Sequence, residues 1–264
     1  MNKGDNILKR QIARILKLDE NSRQINFLDQ RFYKRQENYY PSITYILSYF
    51  PKGRFFEDWL KQVGQNAEFI AQKAAETGTA VHNLIEQFLN LPIGEEIKWV
   101  SENYTANYSL EVWKMFLKFV DFWETYKPKL LETEVHLFSD KHQIAGTCDL
   151  VLEINGAIWI LDIKTSKSLH TTYDLQTAAY AVCWNECFEE KIDKTGVLWL
   201  KSAKRGPDKS GKKIQGKGWE LYESDRTIEE NFKYFNQVYD LFKLENPSAK
   251  PIFETLPVSV KRNF

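Results

Sequence analysis

Residues 144–165 read IAGTCDLVLEINGAIWILDIKT. Two strand-like runs meet at Asn155-Gly156, a pair that tolerates the positive φ required at both central positions of a type I′ turn, so the stretch predicts a β-hairpin. A two-residue turn sets the register: Ile154 faces Ala157, Leu152 faces Trp159, and Asp149 faces Asp162. Side chains alternate along a strand, which puts Lys164 on the face of Asp162 and Asp149. Directly opposed Cβ atoms lie about 4.5–5.5 Å apart. Two ionised carboxylates at that distance repel by roughly 3 kcal/mol at an effective dielectric near 20. A sheet holds such a pair only with a cation or a shared proton, and a divalent metal beside Lys164 meets that need. Taken alone, the string DIKT reads more simply as a structural Asp162–Lys164 salt bridge at a strand end. The opposed carboxylates are what turn the reading toward a site.

The chain has 264 residues, enough for one large domain or one domain with an appendage. Lys+Arg and Asp+Glu are both 36, so net charge does not make it a polyanion binder, and any nucleic-acid surface must come from local segregation of charge. No N-terminal apolar run resembles a signal peptide and no window reaches about 18 uninterrupted apolar residues, which leads us to expect a soluble cytoplasmic protein. Cys148, Cys183 and Cys187 are odd in number, and the last two sit one helical turn apart. That pattern fits buried thiols, and with no fourth ligand in view neither a zinc site nor an iron–sulfur cluster is expected.

The segment 1–40 reads as a charged N-terminal extension, with an apolar stripe of Ile7, Leu8, Ile12, Ile15 and Leu16 and an edge hairpin over 24–33. The main domain is expected over 41–247 and a tail over 248–264. Helices are expected over 43–50, 55–63, 67–90, 106–127, 173–189 and 228–244, strands over 133–139, 196–202 and 219–222. Gly78 inside the third of these helices costs about 1 kcal/mol relative to Ala, so it implies a close approach of another backbone or a ligand. His82 and Glu86 follow on its side, each one turn further along. If residues 140–143 form the next turn, Glu134 falls opposite Asp149. The basic loop 203–218, AKRGPDKSGKKIQGKG, carries Lys204, Arg205, Lys209, Lys212, Lys213 and Lys217. Its composition suits a mobile surface loop and makes it the best local candidate for contacting phosphates. The aromatic residues Tyr39, Tyr40, Tyr45, Tyr49, Phe50, Phe55, Phe56 and Trp59 are expected in the core more often than on a base-stacking platform.

The polar residues that periodicity can turn toward one site are His82, Glu134, Asp149, Asp162, Lys164, Gln176 and Tyr180. Imidazole with carboxylates is a nitrogen/oxygen ligand set suited to Mg²⁺ or Mn²⁺. In order along the chain, GTAVH at 78–82, Glu134 followed by GTCD at 146–149, LDIKT at 161–165 and QTAAY at 176–180 resemble the motifs of RecB-type nucleases of the PD-(D/E)XK superfamily. The resemblance covers roughly residues 40–199 and is nearest to stand-alone exonucleases, phage-encoded ones among them. It departs from those relatives that hold an iron–sulfur centre near the C-terminus, because no cysteine follows Cys187.

The resemblance implies an α/β fold, a central mixed β-sheet flanked by helices, and hydrolysis of DNA phosphodiesters by metal-activated water. It implies that His82, Asp149, Asp162 and the Ile163 carbonyl hold the metal, with Glu134 an outer acidic ligand or water-holder. Lys164 would orient the attacking water and stabilise transition-state charge, and Gln176 and Tyr180 would buttress Lys164 or hold the phosphate. It further implies DNA ends or single strands as substrate and a helicase, annealing or single-strand-binding protein as partner, in the host cytoplasm if phage-encoded. A structure- or site-specific endonuclease of the same fold and a catalytically inactive DNA-binding homologue remain as alternatives. A glycosidase with paired carboxylates ranks last, since it leaves Lys164, His82 and Gln176 without a role.

Overall fold

A computed structural model describes residues 23–27, 30–92, 108–203 and 214–251. In chain order these comprise β1 (Arg23–Phe27), β2 (Gln30–Arg35), β3 (Asn38–Pro41), α1 (Ile43–Leu47), α2 (Arg54–Val63), a 3₁₀ turn (Gly64–Asn66) and α3 (Ala67–Leu89). Then come α4 (Leu110–Tyr126), β4 (Lys129–Ser139), β5 (Ile144–Ile154), β6 (Ala157–Lys164), α5 (Thr171–Cys187), β7 (Lys194–Trp199), β8 (Ile214–Gln215), β9 (Glu220–Glu223) and α6 (Ile228–Glu245).

The organising hairpin forms in the expected register. Asn155 has φ 52° and Gly156 φ 82°, as the I′ turn requires, and Ile154 pairs with Ala157 and Leu152 with Trp159. The main sheet runs β4-β5-β6-β7-β9-β8. All its ladders are antiparallel except β6 with β7, whose parallel pairing needs the crossover that α5 supplies. The fold is the α/β, helix-flanked mixed sheet that the sequence leads one to expect.

Alternation sorts the strand residues into two cores. Leu150, Leu152, Leu161 and Ile163 pack under α3 and α4, against Val81, Leu84, Phe116 and Phe119. Val135, Val151 and Ile160 pack on the other face, against Leu175, Ala178 and Ala179 of α5 and Phe235 of α6. Strand β6 is thus covered on both sides, which explains its unbroken apolar run. Helix ends follow from capping. The Thr227 and Glu230 pair closes a capping box at the start of α6, and Ser109 caps α4, so that helix begins at Leu110 rather than near residue 106. Strand β4 begins at Lys129 rather than 133, because the ladder to β5 continues past a bulge between Leu130 and Glu132. Strand β7 runs from Lys194 to Trp199, starting two residues and ending three residues earlier than 196–202.

The small sheet β1-β2-β3 contains the expected edge hairpin. It rests on the main body through Tyr33 and Tyr40, which pack with Phe138 and Ala145. The apolar stripe at 7–16 and the tail beyond residue 251 lie outside the described residues.

Candidate active site

The β5–β6 ladder is paired as far as Leu150 and Leu161, and the next residues in register are Asp149 and Asp162. Here the strands are tied by a side chain instead of the backbone: Asp149 Oδ2 accepts the Ile163 amide N–H at 2.7 Å. Glu134 lies between the pairs Thr133–Leu150 and Val135–Cys148, beside Asp149 as the turn at 140–143 implies. It is left-handed at φ 46°, a conformation that costs a side-chain-bearing residue about 1–2 kcal/mol. Its carboxylate lies beside an imidazole from the opposite layer: His82 Nδ1 is 3.9 Å from Glu134 Oε1 and 3.6 Å from Asp149 Oδ1.

His82 comes from α3, which is anchored by buried Val81, Leu84 and Ile85. Its Nε2 is 3.0 Å from the Ile163 carbonyl. With Nε2–H donating there, Nδ1 is the ring nitrogen turned to the carboxylates, holding a proton against them or, once that proton leaves, a lone pair for a cation. Gly78 is what lets α3 approach the end of β6, since a Cβ on it would lie 3.3 Å from Thr165 Oγ1.

On the other side of Asp162, Lys164 Nζ is 2.6 Å from Asp162 Oδ2 and donates to Gln176 Oε1 at 3.4 Å. Gln176 Nε2 donates to Asp162 Oδ1 at 2.8 Å and to the Tyr180 hydroxyl oxygen at 2.9 Å. Gln176 and Tyr180 are one turn apart on α5 and therefore reach the same strand end. Asp162 Oδ1 is thus hydrogen-bonded within this group, while the buried Oδ2 is ion-paired with Lys164 and accepts no hydrogen bond among the described residues. Glu134, by contrast, belongs with His82 and Asp149, whose donor atoms lie within 4.8 Å of one another.

The electrostatics follow from burial. Loss of water pushes the Asp162 carboxyl up to about 6 despite the Lys164 charge beside it, and it raises Asp149 against the pull of His82. Burial opposes the charge on His82, yet Asp149, Glu134 and Asp162 outweigh it and lift the imidazole to about 9. Burial likewise opposes the Lys164 charge, and Asp162 and Asp149 override it. Three carboxylates against one lysine leave two negative charges once His82 is neutral, the charge a divalent ion balances. Ligands on one ion at about 2.1 Å stand about 3 Å apart when cis and about 4 Å when trans. The 3.6 and 3.9 Å spacings around Nδ1 are within a small contraction of that. The donor set fits a divalent cation.

The site opens into a cleft of about 490 Å³ between α3 and the end of β6, lined by Gly78, His82, Glu86, Glu134, Lys164 and Tyr173 among others. The structure therefore brings together His82, Glu134, Asp149, Asp162, Ile163, Lys164, Gln176 and Tyr180. Of the basic loop, Lys217 is exposed beside the start of β9, while Lys204, Arg205, Lys209, Lys212 and Lys213 lie outside the described residues. Tyr40 and Tyr45 are core residues and Phe56 is 37% exposed, so the early aromatics divide between core and surface. Sequence reasoning missed Tyr173, whose ring lies under Lys164 at 4.7 Å. Its spacing of three from Gln176 and seven from Tyr180 was the available signal.

The mixed sheet thus carries Asp149, Asp162 and Lys164 on adjoining strands, with a histidine and a third carboxylate beside them, a donor set of the class that holds a divalent cation. The sequence matches the PD-(D/E)XK nuclease superfamily over residues 53–254, and the chain belongs to that superfamily. No curated protein matches it. Superfamily members are nucleases, use divalent metals and act on DNA. No helix among the described residues is long and apolar enough to cross a membrane.

Proposed function

We propose that the protein is a divalent-metal-dependent deoxyribonuclease of the RecB type, an exonuclease acting on DNA ends or single strands. The observation that carries the reading is the junction of the His82–Glu134–Asp149 donor group with the Asp162–Lys164–Gln176 group at one strand end. The helical histidine and the Gln176/Tyr180 pair on α5 support the RecB-type assignment, since the histidine meets Glu134 and Asp149 while Gln176 holds the adjoining Asp162.

In this reading His82 Nδ1, Glu134 and Asp149 hold Mg²⁺ or Mn²⁺, with Asp162 and the Ile163 carbonyl beside them. A bound divalent ion supplies Lewis-acid charge to a phosphoryl oxygen and lowers the pKa of water from 15.7 toward about 7. The remaining work belongs to the chain. Lys164, kept charged by Asp162, donates to a phosphate oxygen as negative charge builds there in the transition state, where a preorganised donor is worth most. Asp162 and Gln176 fix the ammonium so that little reorganisation is needed. Gln176 itself is oriented by the buried Tyr180. The basic residues Lys204, Arg205, Lys209, Lys212, Lys213 and Lys217 are assigned to binding the DNA backbone by charge, and a helicase, annealing or single-strand-binding protein supplies the strand.

The test is digestion of end-labelled single- and double-stranded DNA, linear and circular, with Mg²⁺, Mn²⁺ or EDTA, beside Asp162→Ala and Lys164→Ala. Metal-dependent loss of linear DNA alone, abolished by either substitution, is the expected result. Cutting of circles would make it an endonuclease, and binding without cleavage would overturn the catalytic reading.

A further inference from the structure

Helix α5 presents Tyr173, Gln176 and Tyr180 on one face, at spacings of three and four residues. Of the three, Tyr173 alone lines the cleft. Tyr180 and Gln176 are buried, whereas Tyr173 is partly exposed and lines the cleft with Lys164, Thr165 and Ser166. Lys164 has three N–H donors. The ammonium is ion-paired with Asp162 Oδ2 at 2.6 Å and donates to Gln176 Oε1 at 3.4 Å. The remaining neighbour is the face of the Tyr173 ring, its centroid 4.7 Å from Nζ, within the range where an ammonium is attracted to an aromatic quadrupole. The ring is held in place. Tyr173 N–H donates to the His170 carbonyl at 3.0 Å, and the His170 ring stands edge-on at 5.3 Å. The Tyr173 hydroxyl has no hydrogen-bond partner among the described residues, so the ring rather than the phenol makes the contact.

We infer that Tyr173 is a positioning residue for the reaction proposed above: its ring closes the third side of a cage that points the Lys164 ammonium at the substrate phosphate. The inference rests on the nuclease reading for its consequence, and on the Lys164–Tyr173 contact for its content. The ring covers one side of an ammonium whose side chain remains 21% exposed, and its attraction is weak enough to yield when a phosphate oxygen arrives. Asp162 and Gln176 alone would leave that side of the ammonium hydrated and free to swing.

Two measurements on the full chain separate contact from consequence. The first is the proton shift of the Lys164 ε-methylene in ¹³C-lysine-labelled protein in EDTA, assigned by its loss in Lys164→Arg. An upfield ring-current shift is expected in the wild type and in Tyr173→Phe, and its disappearance in Tyr173→Leu. The second is steady-state cleavage of labelled DNA. Tyr173→Leu is expected to lower kcat about tenfold with KM within about threefold, and Tyr173→Phe to recover most of that loss. An unshifted Lys164 signal in the wild type would overturn the contact. Undiminished kcat in Tyr173→Leu, or a Phe variant as impaired as the Leu variant, would overturn the role of the ring. A wild type that cleaves no DNA would sink the nuclease reading, and the NMR shift would still decide the contact.

Discussion

Gly146 leaves room for the Tyr180 ring: a Cβ on Gly146 would lie 2.5 Å from Tyr180 Cε1 and 3.3 Å from Ile43 Cδ1. Tyr180 is fully buried and its hydroxyl oxygen accepts from Gln176, which in turn holds Asp162. The glycine of GTCD thus sets the position of a chain of contacts ending at Lys164. Gly146→Ala is expected to destabilise the protein by about 1–3 kcal/mol, the usual cost of overpacking a core, and to lower the cleavage rate more than the loss of folded protein explains. Urea unfolding and kcat measured on the same preparation check this. Gly78→Ala is the contrast: helix propensity gains about 1 kcal/mol against a 3.3 Å contact with Thr165 Oγ1, and stability is expected to change little.

Glu134 stores strain where the donor atoms meet. Its φ of 46° is one that asparagine and glycine adopt far more readily, and its carboxylate adds to the charge around Asp149. Glu134→Asn is expected to raise the melting temperature in EDTA by a few degrees, equivalent to about 1 kcal/mol. The same variant should lose most of its stabilisation by Mg²⁺ or Mn²⁺. A lower melting temperature in EDTA would show that the backbone there is not strained.

The legible parts of the molecule were those governed by short-range rules. Asn155-Gly156 dictated a turn, the turn dictated the register, and the register placed Asp149 at the level of Asp162. Gly78 announced a close approach because a helix interior has little other use for it. The left-handed Glu134 was hidden, since alternation over 133–139 reads as a regular strand and only the paired strand reveals the distortion. The approach of His82 to the Ile163 carbonyl joins residues 81 apart, and it depends on how α3 packs across the sheet, which periodicity does not specify. Tyr173 was overlooked because an aromatic residue in the first turn of a buried helix resembles any core residue. Helix and strand ends shifted by a few residues where a cap such as Ser109, or the bulge at Leu130/Glu132, overrode the apolar pattern.

The basic loop can be tested without a structure of its complex. Replacing Lys204, Arg205, Lys209, Lys212, Lys213 and Lys217 with glutamine is expected to weaken DNA binding and to flatten its salt dependence. The slope of log K against log salt should fall by about 0.7–0.9 for each phosphate that is no longer neutralised. Fluorescence anisotropy across a salt series measures it, and an unchanged slope would remove the loop from the DNA interface.

All three cysteines are buried. Burial pushes the Cys148 and Cys183 thiols well above the ordinary range, and Cys187 donates to the Phe138 carbonyl at 3.3 Å. The thiolate is the reactive form, so native protein is expected to leave all three unmodified by an aromatic disulfide reagent at pH 8 while denatured protein titrates fully. Rapid labelling of the native form would mean the α5 layer opens.

Metal binding should stabilise the fold and carry a defined pH dependence. An ion bound only by the folded state adds RT ln(1 + [L]/Kd), about 2.7 kcal/mol at one hundred times Kd. Mn²⁺ is therefore expected to raise the melting temperature by several degrees, and EDTA to reverse the effect. Asp149→Asn should abolish the shift, because it removes the negative charge and leaves a single oxygen, which the Ile163 amide N–H already occupies. In the metal-free protein His82 is lifted to about 9, above its unfolded value near 6.5. The stability its charged form contributes is complete below about 6.5 and is lost as pH rises through about 9. A metal at Nδ1 requires that proton to leave. Apparent affinity for Mn²⁺ should then rise about tenfold per pH unit up to about 9 and level off above it. Calorimetry in two buffers of different ionisation enthalpy reads the released proton directly. A pH-independent affinity with no proton release would place the ion away from His82.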